Sequence, residues 1–201
     1  MLAIAQQRAK REGLKNMEFK QVYIEENDLP LSFFDAVICR WGLMFLPNLC
    51  LALENVRKTL VPGGRLAIAV WAESKKVPQL NLPMAIVRRE LELTSLPKGV
   101  PDPFSLSDLN ELRNSLLQAG FRDVRIEKIQ VKFDFDLAED CVSFTKDTAA
   151  PVNMMLSRET EKRKQEIWKA VTDQVRHEHS NITNGHLRLN NEAICAVGRR
   201  Q

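Results

Sequence analysis

Apolar residues recur with two periods along this 201-residue chain, and the switches between them lay out its elements. Ala36 to Cys39 is a short run rich in Val and Ile, too short for a helix, and reads as a buried strand. Pro47 opens a helix in which Leu49, Leu53, Val56 and Leu60 return at helical spacing. Val61-Pro62-Gly63-Gly64 closes it, because proline cannot continue the hydrogen-bond ladder and glycine tolerates positive φ. Arg65 to Trp71 is apolar almost throughout, as expected of a parallel strand covered on both faces. Strand, helix and strand of these lengths predict a right-handed crossover with 36–39 and 65–71 in parallel.

The same reading extends outward from that unit. Residues 2–12 form a helix with Leu2, Ala5 and Ala9 on one stripe, capped by Gly13. Met17 to Ile24 alternates and reads as a strand, followed by an acidic loop from Glu25 to Leu31 that turns at Pro30. After a polar loop from Glu73 to Lys76, Pro83 opens a helix carrying Met84, Ile86, Val87, Leu91 and Leu93. Residues 95–104 hold three of the nine prolines and form an extended crossing loop. Ser105 to Asp108 has capping-box spacing, with Asp in place of Glu, and starts a helix through Ala119 that Gly120 stops. Val124 to Phe135 alternates as one or two strands, with a slip at Lys128 that predicts a bulge or bend. Two helical pieces follow, 138–146 and 157–176. A Ser/Asn/Gly loop at 180–186 then leads to a closing strand, 187–197, interrupted at Asn190-Asn191.

Helices alternating with apolar strands describe an open α/β sheet, whose ligands sit outside the carboxyl ends of its strands. That rule selects two corners, Tyr23 to Asp28 and Cys39 to Leu43. Composition narrows the choice of ligand. A hydrophobic content of 44% and a charged content of 27% are ordinary for a globular domain with one sizeable core. The net charge of +3 is too small and too dispersed to argue for nucleic acid. Cys39, Cys50, Cys141 and Cys195 lack C-x-x-C spacing, which favours reduced thiols over a disulfide or zinc site. His177, His179 and His186 invite a metal, but i and i+2 do not share a helix face and no acid or thiol completes a set. No run is long enough for a membrane span and the N-terminus lacks the order of a signal peptide, so the expected location is cytoplasmic.

The residues from Phe34 to Trp71 carry a family likeness. FDAVICRWGLMFLPN followed by LENVRKTLVPGGRLAIAVW resembles the second half of a class I S-adenosylmethionine-dependent methyltransferase, in the ubiquinone/menaquinone-biosynthesis-like (type 11) group. DPFSLSDL at 102–109, AGFRDV at 119–124 and NEAICAVGRR at the end are similar to members of that group. The resemblance implies a Rossmann-like α/β methyltransferase sheet with extra C-terminal helices. It implies one partial domain over 1–201: a cofactor-side part, 1–72, and an acceptor-side part, 73–201, with inserted helices and closing strands. It also implies an N-terminally truncated sheet. MLAIAQQRA looks like the family helix that follows the Gly-rich loop and the ribose-binding acid, and no G-x-G occurs in the chain. Gly63-Gly64 follows a helix, which is the wrong context for a cofactor cradle. Without the preceding strands the edge of 36–39 is open, which predicts reduced stability or a homodimer through that exposed edge.

The cofactor implied is S-adenosylmethionine, and the cofactor-binding candidates are Tyr23, Ile24, Glu25, Arg40 and Trp41. Tyr23-Ile24-Glu25 falls where relatives carry Asp-Ala-Glu. Tyr23 cannot replace a carboxylate acceptor, so Glu25 or Asp28 substitutes, or the segment is a solvated loop. Arg40 could pair the cofactor carboxylate; the competing reading pairs it with Asp35 or Glu73 and buries Trp41 in the core. Trp71 to Glu73 could floor an acceptor pocket, against the stronger reading of Trp71 as core. Met44, Met84, Met154 and Met155 with Phe45 and Phe144 could line it, or be core. No residue stands out as a catalytic base, which alignment-driven methyl transfer tolerates. The leading function is methyl transfer to a small, apolar or aromatic acceptor. The alternatives are a non-catalytic remnant acting as a binding module and a nucleotide-dependent reductase, against which the missing Gly-rich turn counts equally.

Overall fold

Parallel pairing of the two central strands is the feature on which the rest depends, and it is present. In the computed structural model, which describes residues 2–26, 28–179 and 187–201, β1 (Phe34–Arg40) runs parallel to β2 (Leu60–Trp71), with Ala36 opposite Arg65 and Arg40 opposite Ala69. The first helix is α1 (Leu2–Arg11); between β1 and β2, α2 (Leu49–Thr59) begins at Asn48, whose side chain accepts the Leu51 N–H. Sheet order is β1-β2-β4-β3. The closing strand β4 (Leu187–Arg200) lies antiparallel to both β2 and β3 (Phe121–Phe135). The loop predicted at 180–186 lies outside the described residues.

One face of the sheet is packed. Leu66, Ile68, Val70, Ile194 and Ala196 meet Leu53 and Val56 of α2 and Leu112 and Leu116 of α4 (Leu109–Gln118) in a continuous buried cluster. Asp108 caps α4 by accepting the N–H groups of Asn110 and Glu111, so it is the N-cap itself rather than the far end of a capping box. The opposite face differs from the expectation of burial on both sides. Ile38 is 81% exposed, Val197 is exposed, and Ala67 and Ala69 are half-buried. An open cleft of about 710 Å³ runs there past Arg65, Arg125, Cys195 and Arg199.

Several predicted elements shift. Residues 17–24 are not a strand: they meet no partner strand, and an unpaired extended segment leaves its backbone groups to water and side chains. Asn55 of α2 instead donates to the Ile24 and Glu25 carbonyls. β2 starts at Leu60, and the register jumps between the Phe34–Leu60 and Ala36–Arg65 pairs, so Pro62 to Gly64 is an irregularity within the strand. The bulge in β3 lies between Arg122 and Arg125, with Asp123 at φ 54°, and not at Lys128. α3 (Pro78–Glu90) begins at Pro78 and carries Pro83 inside it. The ring of proline is pre-shaped for the first turn, which favours Pro78.

A second buried cluster is built by α3 with α5 (Ala138–Thr148), α6 (Ala150–Met155) and α7 (Glu161–His179), through Val87, Val142, Val152, Ile167 and Val171. A buried polar seam joins it to the sheet. Asn191 Oδ1 accepts the Gln79 N–H at 3.0 Å, and Gln79 Nε2 donates to Thr145 Oγ1 at 2.7 Å. Asn191 Nδ2 donates to the carbonyls of Val131 and Leu189. Asn190-Asn191 therefore does not interrupt β4; Asn191 is fully buried within it.

Candidate active site

Because β1 and β2 are parallel, their carboxyl ends open on one edge, where a ligand can reach both. The chain leaves β1 through Arg40-Trp41-Gly42 and winds into a short turn, Leu43–Phe45. Trp41 sits at φ 54°, a left-handed conformation that costs a bulky residue about 1–3 kcal/mol. It is held there by its N–H, which donates to the Ala69 carbonyl at 2.8 Å, and by its ring, which stacks on Trp71 with centroids 4.5 Å apart. The Arg40 guanidinium also lies over the Trp41 ring, 4.7 Å from its centre. A Cβ at Gly42 would come within 2.8 Å of Cys39 Sγ, so a larger residue there would displace that thiol.

Two donors at this corner are unspent. Trp41 Nε1 is buried without a hydrogen-bond partner, although indole N–H groups ordinarily find one when buried. Among the described residues no carboxylate pairs with Arg40; Glu73 is engaged by Lys75 at 3.0 Å, which holds its carboxyl below the usual range. Of the competing reading of the corner, the packed Trp41 is present as a stack on Trp71, and the pairing of Arg40 with Asp35 or Glu73 is not. Trp71, only 6% exposed, serves as the floor of that stack.

Tyr23, Ile24 and Glu25 are placed otherwise than at a strand end. Tyr23 is 63% exposed, and Ile24–Glu26 forms a single tight turn. Glu25 Oε1 accepts the Asn48 N–H at 2.8 Å, so this carboxylate is partly used at the start of α2. Ile24 packs into the buried cluster that contains Leu43, Met44 and Leu53.

Beyond the corner, a groove of about 480 Å³ lies between α3 and the crossing loop, lined by Glu73, Asn81, Met84, Arg88, Asp102 and Phe104 among others. Ser105 Oγ donates to the Met44 carbonyl at 2.7 Å, tying that loop to the corner. Asn81 and Arg88 escaped the sequence reading. Their signal was their spacing with Met84, which puts all three on one helix face. Of the other candidate liners, Met44 and Met155 are buried core, Met154 lines a different cleft, and Phe144 packs on Phe133 and Phe135. His177 and His179 end α7, and His186 lies outside the described residues.

Comparison with known proteins adds an independent line. A family model described as a methyltransferase domain matches residues 1–99. The ubiquinone/menaquinone biosynthesis C-methyltransferase UbiE of Sinorhizobium fredii is 32% identical over 74 residues, 36% of this chain and 29% of that protein. UbiE of Coxiella burnetii is 28% identical over 79 residues, 39% of this chain and 32% of that one. The matched part therefore spans about a third of the length of these curated relatives. Among solved structures, the YcgJ protein of Bacillus subtilis superposes with a TM-score of 0.58 at 16% identity, over 100% of this chain and 78% of that one. Haemonchus contortus phosphoethanolamine N-methyltransferase 2, in complex with S-adenosyl-L-methionine, gives a TM-score of 0.54 at 13% identity, over 100% and 41% of the two chains. At these identities the superpositions speak to the fold, which is Rossmann-like.

Proposed function

We propose that this chain, whose residues 1–99 match a methyltransferase-domain model, takes part in methyl transfer from S-adenosylmethionine to a small, apolar or aromatic acceptor. The observation that carries this reading is the strained corner after β1, where Trp41 and Arg40 present unspent donors beside the end of β2.

The residues fit the cofactor best at its amino-acid end. Arg40 would pair the carboxylate, and the orphaned Trp41 Nε1 offers a second donor. At the adenosine end Tyr23 would stack or donate, and the Ile24–Glu25 turn would offer backbone and one carboxylate oxygen, since Oε1 already holds the Asn48 N–H. Bound S-adenosylmethionine supplies a methyl group on a sulfonium. The chain's own contribution is alignment and exclusion of water. The Trp41–Trp71 stack closes the floor, and the loop held by Ser105 closes one side. Met84, Leu96 and Phe104 in the adjoining groove support an apolar or aromatic acceptor.

Calorimetric titration of the 201-residue chain with S-adenosylhomocysteine tests this reading. A micromolar dissociation constant is expected; silence at millimolar ligand would leave a fold without its cofactor site.

We also propose that the outer edge of β1 pairs with a second copy of the chain. No strand covers it among the described residues, and Ile38 on that strand is 81% exposed. Sedimentation velocity is expected to show a dimer that Ile38→Lys converts to monomer.

A further inference from the structure

We propose that the groove between α3 and the crossing loop binds a small molecule with an apolar body and a carboxylate end, and that Arg88 takes the carboxylate. Calling this molecule the methyl acceptor rests on the methyltransferase reading; its binding chemistry does not.

The groove has the size of a small-ligand site, about 480 Å³. Its walls are of two kinds. Met84, Leu96 and Phe104 are apolar, whereas Glu73, Arg88 and Asp102 are charged. Both acids already have partners. Glu73 pairs with Lys75 at 3.0 Å, and Asp102 Oδ1 accepts the Phe104 N–H at 2.8 Å. Arg88 is different. Its Nη2 donates to the Thr94 carbonyl at 2.7 Å, which anchors the guanidinium. Its Nε is buried with no partner, and no carboxylate pairs with it among the described residues. A guanidinium fixed at one corner, with a desolvated N–H left over, suits an oxygen pair that can accept from two of its nitrogens. A neutral apolar ligand would leave that buried N–H unsatisfied.

An unpartnered Nε alone would not suffice. Arg200 has one too, but its Nη1 is surrounded by the Ser32 hydroxyl and the carbonyls of Arg57, Lys58 and Leu60. Of these two arginines, it is Arg88 whose unspent donor coincides with a cavity that has apolar walls.

The probe is 2-naphthoate against its neutral analogue 2-naphthamide, each titrated into the ¹⁵N-labelled chain and followed by amide shifts. The acid is expected to bind at least ten-fold more tightly than the amide and to shift the amides of Ala85, Arg88 and Phe104. Arg88→Gln should bring the acid down to the level of the amide, and Arg88→Lys should restore part of the preference. Phe104→Ala should weaken both ligands alike. Equal affinity of acid and amide, a preference unchanged in Arg88→Gln, or no binding of 2-naphthoate at millimolar concentration overturns the proposal. If Arg88→Gln fails to fold, the acid-to-amide ratio in the parent chain still decides. An intact naphthoate preference beside a silent S-adenosylhomocysteine titration would sink the methyltransferase reading and leave the groove standing; the reverse pattern would sink the groove alone.

Discussion

Both ends of the sheet carry arginine, and the two sets are spent differently. At the amino end of the parallel pair, Arg200 Nη1 donates to the carbonyls of Arg57, Lys58 and Leu60, and Arg57 Nε donates to the Ala119 carbonyl at 2.8 Å. These cations sit against the last carbonyls of α2 and α4, where the helix dipole favours positive charge. At the carboxyl end Arg40 lies on the face of Trp41 and Arg88 holds one loop carbonyl, and each leaves donors unspent. Identical side chains thus hold helix-end carbonyls at one end and carry no carboxylate partner among the described residues at the other. What decides is whether free helix-end carbonyls are within reach.

If that division is right, the carboxyl end is held together by something other than its arginines. The buried amide seam is the candidate, and breaking it is expected to have the largest effect. Asn191→Leu removes the acceptor of the Gln79 N–H and two donors to strand carbonyls inside a dry interface. A loss of about 3 kcal/mol is expected in urea unfolding. A smaller loss than that of Arg200→Met would show that the seam is incidental. Arg200→Met itself should cost about 2 kcal/mol, the scale of hydrogen bonds from a charged donor, because the end of α2 loses its cap. Affinity for S-adenosylhomocysteine, measured on the folded fraction, should not change.

Arg40→Ala reverses that pattern. Stability is expected to move by no more than about 0.5 kcal/mol, as at an exposed site without a polar partner. Binding of S-adenosylhomocysteine should weaken about ten-fold, or about 1.4 kcal/mol. A variant that melts early but binds normally would return Arg40 to the structural set.

The difference between the ends also bears on what could be seen in the sequence. Strand β1, helix α2 and most of β2 were legible, because one crossover unit states its own periods, although α2 ends at Thr59 and Pro62 falls inside β2. Loss came wherever an element's fate depended on a distant partner. MEFKQVYI alternates like a strand, yet alternation only prepares a ladder; no neighbour supplies one, and Asn55 takes its last carbonyl, Ile24, and the following one, Glu25, instead. Asn190-Asn191 looked like a break because amides disfavour strand interiors. Burial against Gln79 turns Asn191 into an anchor that local propensity cannot foresee. At the corner Arg40 and Trp41 were legible as a pair, while the groove was not. Arg88 appeared as one more charge on a helix, and only its burial and its single bond to Thr94 distinguish it from Arg89.

The seam can also be probed through a proton. Cys141 lies beside Gln79, its sulfur 3.6 Å from Gln79 Oε1, and burial raises its pKa from 9.0 to about 11, the Thr145 contact opposing only in part. The thiol is neutral in the folded chain well above the pH at which it ionises in the unfolded one. Below pH 9 both states keep the proton and stability does not depend on this group. Between pH 9 and 11 the unfolded chain releases the proton while the folded chain retains it, so unfolding is favoured and stability falls with rising pH. Urea midpoints of the parent chain should therefore drop more steeply across this window than those of Cys141→Ala, in which lysines, tyrosine and the other thiols titrate as before. Superimposable slopes would mean that water reaches the sulfur, and that the seam joining the helices to the sheet is wet rather than sealed.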